Sequence, residues 1–146
     1  MRIQELGHVV LYVTDIDRSA SFYREALGFP EILRNDQIAL FSGGRIHHEL
    51  LLIGVGGRPA ERRDGEPGLY HIGFKIGDRP EQLREAHREL KAKNVAIVGA
   101  TDHGITHSLY LLDPDGNELE LYVDVSDAWK RDPKAIIAPP RLLNLE

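Results

Sequence analysis

Apolar and polar positions along the chain follow one pattern twice. Residues 6–29 read LGHVVLYVTDIDRSASFYREALGF, and residues 69–92 read LYHIGFKIGDRPEQLREAHRELKA. Each segment opens as an apolar strand with a histidine at its third position, reaches an Asp, and continues with helical spacing. In the first helix Tyr23, Ala26 and Leu27 share a face, and Gly28 is a natural stop. In the second, Asp78 is the expected N-cap, Pro80 sits in the first turn and Glu81 completes an Asp-x-x-Glu pattern. Leu83, Ala86 and Leu90 form its apolar stripe, and Asn94 suits the C-terminal cap.

Three short strands are predicted after each helix, near 31–34, 37–42 and 46–53, then near 95–99, 107–112 and 118–124. Asp113-Pro114-Asp115-Gly116 is a strong turn between the last two. The expected fold is α+β, with two βαβββ modules forming a curved, cup-shaped mixed sheet and helices on its outer face. Module one covers about 5–54 and module two about 69–124, with a tail over 125–146, all in a single domain 1–146. The Gly- and charge-rich stretch 54–68, with its basic pair Arg62-Arg63, is expected to be a solvated link.

Bulk composition narrows the function classes. Eighteen Lys and Arg against 23 Asp and Glu leave a net charge of −5, without the basic stripe a nucleic-acid surface needs. No apolar run approaches the roughly 18–20 residues of a membrane span. The opening MRIQELGHVV lacks the features of a secretion signal. A cytoplasmic protein without membrane or nucleic-acid partners is therefore expected. The absence of cysteine excludes disulfides, thiolate metal sites and a cysteine nucleophile.

Strand alternation assigns faces. Ile72, Phe74 and Ile76 oppose His71, Gly73 and Lys75, while Leu119, Leu121 and Val123 oppose Glu118, Glu120 and Tyr122. The apolar side packs on the helices; the polar side either is solvated or lines the cup. His8 and His71 hold equivalent places in the repeat, and Glu120 faces inward by parity. Two imidazoles and a carboxylate are the facial set that leaves open positions on a metal. Aligning Gly44 with Gly116 places His48 opposite Glu120, which makes His48 a fourth polar residue at the same centre. By parity His47 points away, and His107 lies opposite Tyr110 in a structural role. His87, among Arg and Glu on the helix, is expected to be exposed.

From about residue 5 to 124 the pattern resembles the vicinal oxygen chelate superfamily, which includes glyoxalases, drug-resistance proteins, epimerases and type I extradiol dioxygenases. GHVVLYVTDIDRSASFYREALGF and DPDGNELELY carry the general likeness. TDHGITHSLYLLDPDGNELE, the pair His47-His48 and the tail DVSDAWKRDP are similar to small extradiol catechol dioxygenases. The resemblance implies Fe(II), or less often Mn(II), bound by His8, His71 and Glu120. It implies His48 as an acid/base rather than a ligand, and His103 and Tyr110 as hydrogen-bond partners of the substrate. An aromatic diol and O2 would be the small-molecule partners, and a homodimer or higher homo-oligomer the assembly. From the residues alone, Tyr110 also reads as a core tyrosine and His103 as a solvated loop residue. Other metalloenzymes of the same fold (a glyoxalase, an epimerase, a fosfomycin-type transferase) and a non-catalytic small-molecule binder are the alternative functions.

Overall fold

The computed structural model describes residues 1–61 and 65–146, so Arg62-Arg63 lies outside the described residues. The chain forms two compact units, Met1–Arg63 with Pro114–Gly116, and Asp64–Asp113 with Asn117–Glu146.

The first unit holds β1 (Val9–Val13), α1 (Ile16–Ser21), β2 (Glu31–Arg34), β3 (Ile38–Phe41) and β4 (Leu50–Gly54). Its sheet has the order β1-β4-β3-β2, with β1 parallel to β4 and the other pairs antiparallel. Leu11, Val13, Ala39, Phe41, Leu50 and Leu52 point to one side and are buried together with Ala20 and Tyr23 of the helical segment. Asp15 caps α1 by accepting from the Arg18 N–H at 2.9 Å. The helix then widens: Phe22–Ala26 is a π-turn in which Leu27 N–H donates to Phe22 C=O at 3.2 Å. Tyr23 thereby lies fully buried, its ring 5.9 Å from that of Phe41. The Pro114–Gly116 turn belongs here because Asp115 accepts from Thr14 N–H at 2.8 Å and pairs with Arg18 at 2.6 Å.

The second unit repeats the plan with β5 (His71–Gly77), α2 (Pro80–Ala92), β6 (Ile97–Asp102), β7 (Thr106–Leu112) and β8 (Glu118–Asp124). A short strand in the tail, β9 (Arg141–Leu142), extends the sheet to β5-β8-β7-β6-β9. Leu109, Leu111, Leu119, Leu121 and Val123 are buried on the α2 side, as are Leu83 and Leu90 of that helix. The α+β class with βαβββ units is therefore present, as two separate sheets.

Several local expectations change. The N-cap of α2 is Arg79, not Asp78, because the Gln82 side chain folds back and accepts from both Asp78 and Arg79 N–H at 3.0 Å. Gly77 makes this possible, since any Cβ there would collide with the Gln82 amide. Asp78 is left to pair with Lys75 at 2.5 Å. Asn94, with φ 55, ends α2 in the left-handed region as expected. His87 on α2 is half-buried rather than exposed. The strand expected over 46–53 begins only at Leu50, because residues 42–48 are tied into a compact turn. Ser42 Oγ donates to Ile46 C=O at 2.7 Å and accepts from Gly44 N–H at 3.0 Å, with Gly44 at φ 96.

Core and cap should separate in urea denaturation followed by circular dichroism. Leu119→Ala is expected to lose about 2–5 kcal/mol, the range for emptying a buried leucine site. Gln82→Ala should lose only about 1 kcal/mol, as for a helix cap.

Candidate functional site

The second unit assembles a polar wall on the face opposite its leucines. Tyr110 on β7 and Glu120 on β8 are direct cross-strand partners, so their side chains rise side by side. The Tyr110 hydroxyl donates to Glu120 Oε1 at 3.3 Å, and the other carboxylate oxygen, Oε2, stands 3.2 Å from His71 Nε2. His103, in the turn between β6 and β7, places Nε2 2.8 Å from the Tyr110 hydroxyl. Tyr110 has one proton and gives it to Glu120. His103 must then donate from Nε2, which sets its tautomer. The chain of hydrogen bonds therefore runs from His103 through Tyr110 to Glu120. A Cβ on Gly73 would sit 3.4 Å from Glu120 Oε2, so the bare backbone leaves that space to the carboxylate.

Burial and the neighbouring Glu120 charge push the Tyr110 phenol up to about 12. At neutral pH it is a protonated donor. Glu118 was legible only as a residue sharing the parity of Glu120. Its Oε1 lies 3.8 Å from His71 Nδ1, a buried nitrogen with no hydrogen-bond partner among the described residues.

The donor chemistry fits a divalent cation. Two donors about 2.1 Å from one ion at right angles lie roughly 3 Å apart, close to the 3.2 Å between His71 Nε2 and Glu120 Oε2. With Nε2 on a cation, Nδ1 would carry the proton and Glu118 would be its carboxylate partner, a common orienting arrangement for metal-bound histidine. Among the described residues, no group of three His, Asp or Glu is already disposed to hold a metal. The second unit supplies a pair of donors, and His8 belongs to the first unit.

In the first unit His8, His47 and His48 cluster. The rings of His8 and His48 are 4.5 Å apart, and His47 Nδ1 is 2.6 Å from His48 Nδ1. Arg45 fixes this arrangement by donating to Gly7 C=O at 3.0 Å and pairing with Glu5 at 2.8 Å. His47 thus joins the cluster instead of pointing away, because residues 42–48 are not extended and alternation fails there. Partial burial and the nearby His47 and His8 lower the pKa of His48, favouring its neutral form.

The alignment of His48 with Glu120 is overturned. Val9 pairs with Leu50 just as Ile72 pairs with Leu119, which makes Leu51 the counterpart of Glu120. Leu40 and Leu51 are cross-strand partners, so the first unit has an apolar pair where the second has Tyr110 and Glu120. His107 sits near Asp102, 3.6 Å away, on the face opposite Tyr110.

Two cavities of about 550 and 520 Å³ flank the polar wall and share His71, His103 and Tyr110. Residues of the tail line both, Trp129 and Ile136 on one and Pro140, Arg141 and Leu142 on the other. Of these, only Trp129 lies in a stretch the sequence singled out, DVSDAWKRDP.

The family model of the Glyoxalase/Bleomycin resistance protein/Dioxygenase superfamily matches residues 5–121. The chain belongs to that superfamily. Within it, the chain is 32% identical over 128 residues to a catechol-2,3-dioxygenase of Bacillus subtilis, covering 87% of this chain and 44% of that protein. It is 32% identical over 123 residues to biphenyl-2,3-diol 1,2-dioxygenase 3 of Rhodococcus globerulus, covering 82% and 63%. The chain thus spans from under half to under two thirds of the length of these relatives. The crystal structure of the fosfomycin resistance protein FosX from Listeria monocytogenes shares the superfamily fold. It superposes with a TM-score of 0.66 at 23% identity, covering 85% of this chain and 96% of that one.

The electrostatic origin of the Tyr110 shift is open to test by tyrosinate absorbance in metal-free protein, with Tyr110→Phe as blank. Glu120→Gln removes the negative charge beside the phenol and should lower its midpoint. Burial, the larger cause, remains, so the midpoint should stay above the ordinary value of about 10. An unmoved midpoint would contradict the pairing of Tyr110 with Glu120.

Proposed function

We propose that the chain is a metal-dependent extradiol ring-cleavage dioxygenase, opening a catechol-like aromatic diol with O2. The observation that carries this reading is the polar wall: a neutral phenol, steadied by His103, beside the donor pair His71 and Glu120. The catechol- and biphenyl-diol-cleaving names of its relatives support the same chemistry. His8, the repeat counterpart of His71, is proposed as the third donor, with Fe(II), or alternatively Mn(II), as the cation. When bound, such a cation would supply Lewis acidity and a template for diol and O2.

The chain's own groups would move and hold protons. His48, kept neutral, would accept a proton from a diol hydroxyl and return it later. Tyr110 would offer its O–H to negative charge developing on oxygen, with its direction held by His103 Nε2. The carbon–carbon bond beside the diol breaks and both atoms of O2 enter the product, so no external reductant is required.

Protein loaded anaerobically with Fe(II) and given catechols in air is expected to consume O2 and form a yellow ring-opened product. No uptake across simple and biaryl catechols, with iron bound, would remove the proposal. Glu120→Ala should bind iron poorly by elemental analysis. His48→Ala should keep its iron and lose on the order of 10² or more in turnover, the range for a positioned acid/base. Loss of iron from the His48 variant would make His48 a ligand and favour a glyoxalase-like site. The assembly is proposed to be a homodimer or higher homo-oligomer, which light scattering would check.

A further inference from the structure

We infer that Arg45 is the positioning residue for His8: it holds the backbone just before that histidine, so that His8 stands beside His48 as a metal donor. This rests on the reading of His8 as the third donor and names what keeps it in place. The two modules set their equivalent histidines by different means. In the second unit His71 lies inside the ladder of β5 and β8, directly across from Glu118, whose Oε1 is 3.8 Å from its Nδ1. In the first unit β1 begins only at Val9, so His8 lies one residue ahead of the strand and is exposed. Continuing the ladder back by one residue from Val9 and Leu50 puts Glu49 across from His8, the place that Glu118 has across from His71.

The Glu49 carboxylate is engaged elsewhere. Its Oε2 accepts from Gly43 N–H at 2.7 Å, and its Oε1 lies 3.5 Å from Arg45 Nε. The arginine in turn reaches the segment that leads into His8. Its Nη1 donates to Glu5 Oε2 at 2.8 Å, and its Nη2 donates to Gly7 C=O at 3.0 Å and to Leu6 C=O at 3.3 Å. On the other side of His8, Val9 N–H donates to Glu49 C=O at 2.9 Å. Both neighbours of His8 are thereby tied to residues 45–49, the stretch that carries His48. The His8 ring is left 4.5 Å from that of His48 and 6.1 Å from that of His47.

A planar guanidinium with its donors in a fixed fork suits this task, since one side chain reaches three oxygens of a single segment while its Nε rests against Glu49. The plainer role for Arg45 is to fasten the N-terminal segment for stability alone. The Arg45–Glu5 pair, with side chains 46% and 57% exposed, contributes little in that respect. A merely structural fastening would also act on metal affinity in the same way whether or not residue 8 is a histidine.

The test is a double-mutant cycle on metal affinity. Fe(II) is titrated calorimetrically, without oxygen, into the unaltered chain, Arg45→Ala, Arg45→Lys, His8→Ala and the double variant Arg45→Ala with His8→Ala. Arg45→Ala should weaken binding about tenfold, the lower end of the range for residues that orient metal ligands. Arg45→Lys should recover part of the loss. Added to His8→Ala, Arg45→Ala should cost nothing further. In metal-free protein, proton NMR should show a through-space contact between the His8 and His48 rings that is lost in Arg45→Ala. Circular dichroism checks that each variant is folded. Unchanged affinity in Arg45→Ala, equal losses with and without His8, or a ring contact that persists in Arg45→Ala overturns the positioning role. Failure of the underlying reading looks different: His8→Ala with undiminished affinity removes His8 from the metal, and the inference with it. A cycle that behaves as expected without O2 uptake from any catechol keeps Arg45 in its role and removes ring cleavage alone.

Discussion

One carboxylate organises the chemistry of the second unit. Glu120 turns Oε2 toward His71 and accepts the Tyr110 proton on Oε1. Both relations depend on β8 keeping its register, since a slip by one residue would send Glu120 to the leucine side. That register is held from the opposite face, where Leu119, Leu121 and Val123 are buried among the other leucines. Gly73 completes the arrangement on the neighbouring strand by leaving room for the carboxylate. The hydrophobic core of this unit thus decides where a charge goes.

The same backbone plan appears twice with different loading. In both units the first strand of the module runs parallel to the last, and histidine stands at or just before its start. Where the second unit crosses Tyr110 with Glu120, the first crosses Leu40 with Leu51. One copy carries a carboxylate with its hydrogen-bond partner, and the other offers apolar surface and a histidine cluster. A duplicated fold of this kind separates the scaffold from the site: burial of one face maintains the sheet and leaves the other face free to differ. In the superfamily to which the chain belongs, this accords with one architecture serving proteins with names as different as catechol-2,3-dioxygenase and fosfomycin resistance protein.

The tail adds what neither module contains. Its two 3-10 turns, Ala128–Lys130 and Pro133–Ile137, bring Trp129 and Ile136 to one cavity, and β9 brings Arg141 to the other. Cavity walls built from a segment outside the repeat can vary without disturbing the leucine core.

Alternation along the chain was enough to reveal the repeated strand–helix–strand order, the bounds of β8 and the placement of Glu120 opposite the leucines, because alternation is a property of neighbours in sequence. The Asp113–Gly116 turn and the Gly28 and Asn94 helix ends were legible for the same reason: each depends on local backbone geometry. Tertiary contacts decided the rest. The turn at 42–48 is shaped by Ser42 and held to the N-terminal segment by Arg45, so His47 left its expected side and His48 lost its assumed match with Glu120. Gln82 displaced Asp78 from the α2 cap, and the tail found an edge of the second sheet that nothing in its own residues announces. A face can be read from spacing, but the partner across a ladder or a loop is chosen only when distant residues compete for the same hydrogen bonds and the same space.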